Sequence, residues 1–495
     1  AGGTITGAVT VASGGVLSGS LTVVGNYTQS SGSTYEVQLG ANSSSDLIAV
    51  EGSATIAGTV VVTAVTGSYT VGTRYTILTA AGGVSGTYDN TSDTALSYFA
   101  AARLNYDDTT AYLDVYQARS FVSAAVTLNQ AATATALNTL ASGNEIFSTI
   151  LALQSAETAA DAFDALSGEV YASANTVIQQ QSIYVRDVVS ARLRQSVTEP
   201  GSKPLAYASV GPATAQLGAG LTPTLWAQGY GGWGNTFGNG NAASLSNTIG
   251  GFLIGADVAV ADNARAGVFG GFSRSSFDVN ARTSSGTMDN YDVGVYAGAQ
   301  FGAVAARGGL AYAWHDISVD RIISFSDFLQ AASGEYSTGS VQTFGELGYS
   351  TKLGSFDVEP FVGLAYLNIA GAAFRESGGS AALSVNVGSM DTTYTTLGVR
   401  GGTSVDLYGH ALTPSVALGW QHAFGDTSPT ASMLFSGGTL PFQVSGVPIA
   451  EDTFLLEAGL GYALSDQAAL SVSYSGQFAD TATQNAFSAR FSMKF

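Results

Sequence analysis

From Thr224 to the C-terminus the sequence runs as successive segments of about ten residues in which apolar and polar side chains alternate, the period of a β-strand with two unlike faces. In one segment Phe356, Val358, Pro360, Val362, Leu364 and Tyr366 share a face, with Asp357, Glu359, Gly363 and Ala365 opposite. In another, Phe454, Leu456, Ala458, Leu460, Tyr462 and Leu464 stand against Glu457, Gly459 and Gly461. About twelve such strands begin near Leu225, Leu245, Arg265, Met288, Val304, Val341, Phe356, Thr393, Ala411, Phe454, Ala469 and Gln484. Tight connections around Asp262-Asn263, Gly302, Gly354, Tyr408-Gly409 and Ser465-Asp466 are expected to interleave with long ones such as Ile322 to Thr338 and Asp426 to Ala450. The pattern predicts a mainly β fold ending in a 12-stranded antiparallel transmembrane β-barrel, apolar face to lipid and polar face to a lumen.

Only 11% of the residues are charged, against about a quarter in a soluble domain. Mean hydropathy is +0.22. No run of about 18 apolar residues occurs, so a membrane-spanning helix is excluded and a closed barrel is the remaining way across a bilayer. The charge balance, 17 − 36 = −19, excludes nucleic-acid binding through a basic surface. Without cysteine there are no disulfides, thiolate nucleophiles or thiolate metal ligands, which suits passage through an oxidising compartment. The chain starts in mid-pattern and without Met, and reads as the C-terminal piece of a longer precursor whose export signal lay upstream.

Three regions precede the barrel at 224–495. Within 1–119, Gly2-Gly3-Thr4-Ile5-Thr6-Gly7-Ala8-Val9-Thr10-Val11 is echoed by Gly14-Gly15-Val16-Leu17-Ser18-Gly19-Ser20-Leu21-Thr22-Val23, and more loosely from Gly52 through Ala54, Ile56 and Gly58 to Val60 and Val62. Beta-branched residues between Gly corners predict an N-terminal β-solenoid (β-helix) stub, closed by alternating segments from Tyr69 to Ala80 and Arg103 to Val115. Region 120–196 has helical composition. Its last part spaces Val170, Ala174, Val177, Ile178, Val185, Val188 and Val189 at helical steps, with Arg192 and Arg194 placed to suit a helix C-terminus, and a small bundle is expected. Region 197–223 contains Pro200, Pro204, Pro212 and Pro223 and reads as a linker able to thread a pore.

An even barrel returns the chain to the side from which it entered, so a solenoid displayed on the far side requires the segment before Leu225 to pass through the lumen. A ring of about twelve strands admits one helix or an extended segment, not a folded domain. Gly25-Asn26-Tyr27-Thr28-Gln29 followed by Gly32-Ser33-Thr34-Tyr35-Glu36-Val37 resembles the passenger-associated repeat of type Va autotransporters of Gram-negative bacteria, and Leu225-Trp226-Ala227-Gln228-Gly229-Tyr230 resembles the start of their barrel. The ending, with Phe487, Phe491, Met493 and Phe495 on one face, resembles the signal read by the barrel-assembly machinery. The resemblance implies an outer-membrane translocator that exports its own N-terminal passenger and anchors it at the cell surface. Its implied partners are membrane lipid, the barrel-assembly machinery, periplasmic chaperones and its own passenger segment in the pore; a monomer without cofactor is implied. The excess of Ser, Thr and Gly is compatible with an adhesin that binds a host or bacterial surface ligand.

Lumen-facing charge is expected at Glu346, Glu359, Arg400, Glu457 and Arg490, because charge is costly against lipid. Mutual pairing is favoured over contact with a threaded segment. Gly229-Tyr230-Gly231-Gly232-Trp233-Gly234 fits G-x-G-x-x-G but lies inside a strand, where a dinucleotide site needs a strand-to-helix turn. Its glycines are expected to bend the strand or make room for a segment passing inside. His315, His410 and His422 fall on separate strands without metal-ligand spacing. There is no G-x-S-x-G elbow, nor the Asn-Asn pair with which one subgroup of the family cuts its passenger, so no catalytic residue is assigned and no enzyme is expected after Ala1. The competing reading is a passive porin-like channel with a periplasmic or plug N-terminal domain; few basic lumen positions and no obvious constricting loop weigh against it.

Overall fold

The computed structural model describes residues 2–40, 44–65, 69–89, 93–197, 223–261, 263–408, 410–465 and 468–494. They cluster into two compact units, one comprising Ala1–Leu166 with Ser324–Leu329 and Phe435–Pro441, the other Ser167–Ile323, Gln330–Leu434 and Phe442–Phe495.

In the first unit short strands stack in parallel. Gly3–Thr6, Leu21–Val24, Ile48–Val50 and Arg74–Ala80 form one sheet, Val9–Val11, Tyr27–Gln29, Ala54–Ile56 and Val84–Gly86 a second, and Val16–Ser18, Thr34–Leu39 and Thr59–Ala64 a third. Gly3 pairs with Leu21, Val9 with Tyr27 and Val16 with Thr34 (21 − 3, 27 − 9 and 34 − 16 are all 18). The echo of Gly2–Val11 in Gly14–Val23 is therefore not the stacking register: it would set Ile5 on Leu17, whereas Ile5 pairs with Val23. Gly corners flanking β-branched residues recur between strands of different sheets as well as between stacked strands of one sheet, and local similarity cannot tell the two apart. Tyr27, Tyr35, Leu39, Ile48 and Ile77 are fully buried between the sheets. Thr110–Gln117 runs antiparallel to both Arg74–Ala80 and Ala100–Tyr106, so the parallel ladder ends on reversed strands.

Three helices follow: α1 (Leu128–Leu137), α2 (Glu145–Leu151) and α3 (Ala156–Leu166). Thr127 starts α1 with a reciprocal cap, its hydroxyl accepting from the Gln130 amide at 3.2 Å while the Gln130 side chain accepts from the Thr127 amide at 3.1 Å. Phe121 joins sheet to helices, its ring 5.0 Å from that of Phe99 and 5.1 Å from that of Phe147. The helical region does not form a single bundle. A fourth helix, α4 (Glu169–Val197), belongs to the second unit.

That unit is a closed antiparallel barrel of twelve strands: β1 (Pro223–Thr236), β2 (Leu245–Ala261), β3 (Ala264–Val279), β4 (Ser284–Phe301), β5 (Val304–Phe325), β6 (Phe328–Tyr349), β7 (Phe356–Ile369), β8 (Met390–Gly402), β9 (His410–Gly425), β10 (Asp452–Ala463), β11 (Ala468–Phe478) and β12 (Ala482–Lys494). Closure is made by β1 and β12, paired from Thr224↔Lys494 to Thr236↔Ala482. Leu364 and Tyr366 are exposed on the outside of β7 while Glu359 and Ala365 are buried, as alternation requires. Among the described residues no helix is long and apolar enough to cross a membrane.

The sixth strand begins at Phe328 and not near Val341, and Ile322 to Thr338 is no long connection. The two 22-residue strands β5 and β6 meet at a turn in which Ser326 takes φ 48°. Between residues 331 and 338 the inward Ala332, Tyr336 and Thr338 are buried, but the outward positions are Ala331, Ser333, Glu335 and Ser337. Once strands leave the lipid they need no apolar outer face, so the alternation signal stops while the hydrogen-bond ladder continues. The other long connections are also ordered: Ala372–Arg375, Leu383–Val387, Thr430–Phe435 and Phe442–Ser445 join in one four-stranded sheet.

Candidate functional site

The ten consecutive residues from Val170 to Gln179 of α4 are each at most 3% exposed, so no face of this stretch looks onto solvent. A helix buried all round must be enclosed, and the partners of α4 show by what. Gln179 Nε2 donates to Thr392 Oγ1 on β8 at 2.7 Å. Gln180 Nε2 donates to Thr236 Oγ1 on β1 at 2.7 Å, and its Oε1 accepts from Gln484 on β12 at 2.9 Å. Gln181 Oε1 accepts from Ser275 Oγ on β3 at 2.6 Å. Successive helical residues point about 100° apart. Three adjacent glutamines therefore reach three sectors of the wall, and α4 stands inside the ring.

Both ends of α4 are pinned by charge. Near its start Glu169 accepts from the Ala243 amide at 2.7 Å and from Arg282 Nε at 3.2 Å, a carboxylate where the helix dipole favours one. Tyr171 Oη donates at 2.7 Å to Glu376, which also binds Arg321 Nη1 at 2.7 and 2.8 Å. Near the other end Arg192 donates to Asp257 of β2 from Nε at 2.7 Å and from Nη2 at 2.9 Å. Arg265 Nε at 2.6 Å and Tyr296 Oη at 2.8 Å complete the shell of this carboxylate. Arg192 thus has an acidic partner and does more than suit the helix terminus, as the sequence pattern had it.

The wall makes room for the helix. A Cβ on Gly232 would lie 2.6 Å from Tyr184 Oη, and one on Gly298 would lie 3.0 Å from Leu193 Cδ2. Gly232, within the G-x-G-x-x-G match, is therefore a close-approach position. The Tyr184 ring stacks on that of Tyr230 at 5.5 Å.

Glu346, Glu359 and Arg400 come together, and Arg307 joins them. Arg307 Nη1 lies 2.9 Å from Glu346 and 2.8 Å from Glu359; Arg400 Nη1 lies 2.8 Å from Glu346 and 2.9 Å from Glu359. The Arg400 guanidinium also covers the Phe361 ring at 3.8 Å. Glu457 stands apart from this group and approaches Arg194 of α4 at 3.6 Å. A cavity of about 120 Å³ between α4 and this side of the wall is lined by Arg186, Asp187, Glu346, Arg400 and Glu457 among others. Arg490 is elsewhere, donating through Nε to Gln228 Oε1 at 2.6 Å. Phe487, Phe491 and Met493 are exposed on the outside of β12, the Phe487 ring 5.3 Å from that of Tyr474. Phe495 lies outside the described residues, as do 198–222, which make up nearly all of the expected pore-threading linker. His315 bonds Asn290 at 2.6 Å and Ser340 at 2.9 Å, His422 bonds Asp452 at 2.7 Å, and the His410 ring lies 5.6 Å from that of Tyr462.

Sequence reasoning missed Asp257, Arg265, Arg307, Arg321 and Glu376. For Asp257 and Arg307 the signal was present, since each has the parity opposite to outward Ile254 or Leu310 on its own strand. The pairings themselves leave no local trace.

The Autotransporter beta-domain family model matches residues 225–475, just over half of the chain. The chain is 28% identical over 468 residues to an extracellular serine protease of Serratia marcescens, covering 86% of this chain and 43% of that protein, so it spans less than half the length of this curated relative. Among solved structures it is similar to the translocator domain of autotransporter NalP from Neisseria meningitidis, with a TM-score of 0.50 at 14% identity, covering 66% of this chain and 99% of that one. It is also similar to the beta domain of the Bordetella autotransporter BrkA, with a TM-score of 0.43 at 20% identity, covering 55% and 100%. The likeness to NalP is one of fold. With its barrel matched over 225–475, the chain belongs to the autotransporter family, as an outer-membrane translocator.

Proposed function

We propose that this chain carries its own N-terminal passenger across the outer membrane and holds it at the cell surface, with α4 as the part of the passenger connection that stays in the pore. The enclosure of Val170 to Gln179 within a closed ring is the observation that supports it. In this reading the parallel stacks of 1–119 are the last turns of a β-helical passenger. Each turn that folds outside buries another row of β-branched side chains, at about 25 cal/mol per Å² of apolar surface, and that burial makes export one-directional without ATP. The aromatic row Phe487, Phe491, Met493 and Phe495 serves the barrel-assembly machinery, and chaperones hold the unfolded chain before insertion. The barrel works as a monomer. The exposed faces of the stacks act as an adhesive surface toward a host or bacterial ligand, and no chemistry is assigned to the chain. The porin-like alternative is disfavoured by α4, whose glutamines contact β1, β3, β8 and β12 across the lumen.

The test is surface accessibility. An epitope tag with a signal peptide is placed ahead of Ala1, and intact Gram-negative cells are exposed to antibody and protease. A tag reached on intact cells with the barrel protected supports export; a tag reached only after the outer membrane is permeabilised supports the porin-like reading.

A further inference from the structure

A second cavity, of about 40 Å³, lies between α4 and the strands that carry Ser273, Asn290, Asp292, Ser340 and Gln342. It has room for about three water-sized particles. Its lining contains polar atoms without partners. Gln181 Nε2 and Gln342 Oε1 make no hydrogen bond, on side chains whose residues are 8% and 5% exposed. The Asp292 carboxylate, on a residue 6% exposed, has neither a hydrogen bond nor an ion pair among the described residues, and no Arg or Lys lines the cavity. Buried carboxylates are costly unless paired, hydrogen-bonded or bound to a metal.

The surrounding groups are arranged to offer oxygen. Asn290 Nδ2 donates to Ser273 Oγ at 3.1 Å, which directs Asn290 Oδ1 to His315 Nδ1 at 2.6 Å. In the uncharged ring His315 Nε2 then accepts from the Ser340 hydroxyl at 2.9 Å, leaving the lone pairs of that oxygen free. Gln342 spends its Nε2 on the Ser182 carbonyl at 3.0 Å, so its oxygen is likewise free. One carboxylate among neutral oxygens carries a single negative charge and suits a hard monovalent cation. A magnesium ion would keep several of its own waters and needs more space than this.

We propose that the cavity binds a sodium ion at Asp292, with Gln342 Oε1, Ser340 Oγ and water completing its ligands and Gln181 Nε2 donating to a bound water. One wall of the site is α4 itself, through Gln181, and the other is the barrel. The ion therefore binds only when α4 is seated, and binding stabilises the seated state by linkage.

The full chain, folded in detergent, is heated at constant ionic strength in sodium chloride or in choline chloride, and unfolding is followed by gel mobility and intrinsic fluorescence. Sodium raises the transition of the wild type by a few degrees over choline, and Asp292→Asn abolishes the difference. If Asp292→Asn does not fold, Gln342→Leu is the second variant, expected to need more sodium for the same rise. Equal transitions of the wild type in the two salts overturn the proposal in favour of a protonated Asp292 among waters. So does an Asp292→Asn chain that keeps the full response. A rise reproduced by millimolar magnesium in choline chloride overturns the assignment to a monovalent ion.

Discussion

Arg192 of α4 and Asp257 of β2 form a two-bond pair, at 2.7 and 2.9 Å, with side chains 2% and 1% exposed. Arg265 shares the same carboxylate at 2.6 Å, so a single acid bonds two buried guanidiniums and ties the end of the helix to the wall. Removing one partner of such a group leaves buried charge uncompensated, which costs about 3–5 kcal/mol. Asp257→Asn is expected to lower the unfolding free energy of the folded barrel by that amount in a denaturant titration. A loss below about 1 kcal/mol would mean that the pair is not what holds this end.

Gly232 is where the wall yields to Tyr184, whose hydroxyl would lie 2.6 Å from a Cβ built there. Gly232→Val should push Tyr184 aside, loosen α4 and raise conductance in planar bilayers. Adding Tyr184→Ala removes the obstacle on the helix side, while the Asn485 backbone oxygen at 2.9 Å remains, and should return conductance part of the way toward the wild-type level. A double variant as leaky as the single one would place the damage in the strand, not in the fit of the helix.

Glu359 and Glu346 share two arginines but not the same surroundings. Glu359 is fully buried and also accepts from Ser350 at 3.0 Å, whereas the Glu346 side chain is 12% exposed toward the cavity. Glu359→Gln should cost about 2–4 kcal/mol and Glu346→Gln about 1–2 kcal/mol, since water can replace part of what the second loses. Denaturant unfolding of the two variants side by side decides it, and the reverse order would contradict the burial argument.

In the first unit the Tyr116 hydroxyl, and after it the Arg103 guanidinium, hold the Asp93 carboxyl below its ordinary range. A carboxyl depressed in the folded state adds stability that is complete above the unfolded value of about 4 and is lost as pH falls through the lower folded value. The Asp93 side chain is 29% exposed. The contribution is thus at most about 1 kcal/mol. Hydrogen exchange over Thr110–Gln117 in the full chain, corrected for intrinsic rates, should show protection falling as pH drops below about 4. Asp93→Asn should remove that step; an identical fall in the variant would assign it to other carboxyls.

Deleting Phe495 is expected to lower the yield of heat-modifiable barrel in the outer membrane while leaving folding into detergent intact. Phe491→Ser, at an exposed position on the outside of β12, should act in the same direction. An unchanged yield in membranes would reduce these residues to ordinary lipid-facing side chains.

Alternation was readable in Phe356 to Tyr366 and in Phe454 to Leu464 because lipid lies on one side of those strands and a lumen on the other, which imposes period two on the sequence. It failed at Glu335 and Ser337, where neither environment applies. The place of α4 was not readable for a different reason. Val170, Val177, Ile178 and Val189 show the same spacing whether a helix packs in a bundle or inside a ring. What distinguishes the two is the burial of Asn175, Thr176 and Gln179, polar residues whose partners are the Gly388 and Val447 carbonyls and Thr392, all in the barrel unit far along the sequence. Gln179 finds Thr392 213 positions away, and Gln180 finds Gln484 304 positions away, distances at which no local pattern operates.

The seam between β1 and β12 joins the two ends of the barrel sequence through thirteen paired positions, Thr224 to Thr236. Such a hoop cannot be latched before its last strand has arrived. Once latched, it leaves the rod inside no sideways exit without unzipping that seam. Endwise travel is barred as well, because a helix of 29 residues is about 44 Å long and is bolted to the hoop by Glu169 at one end and Arg192 at the other. The lifetime of the assembled state is then set by whichever gives way first, the latch or the bolts, and it can be long even where the difference in free energy is small.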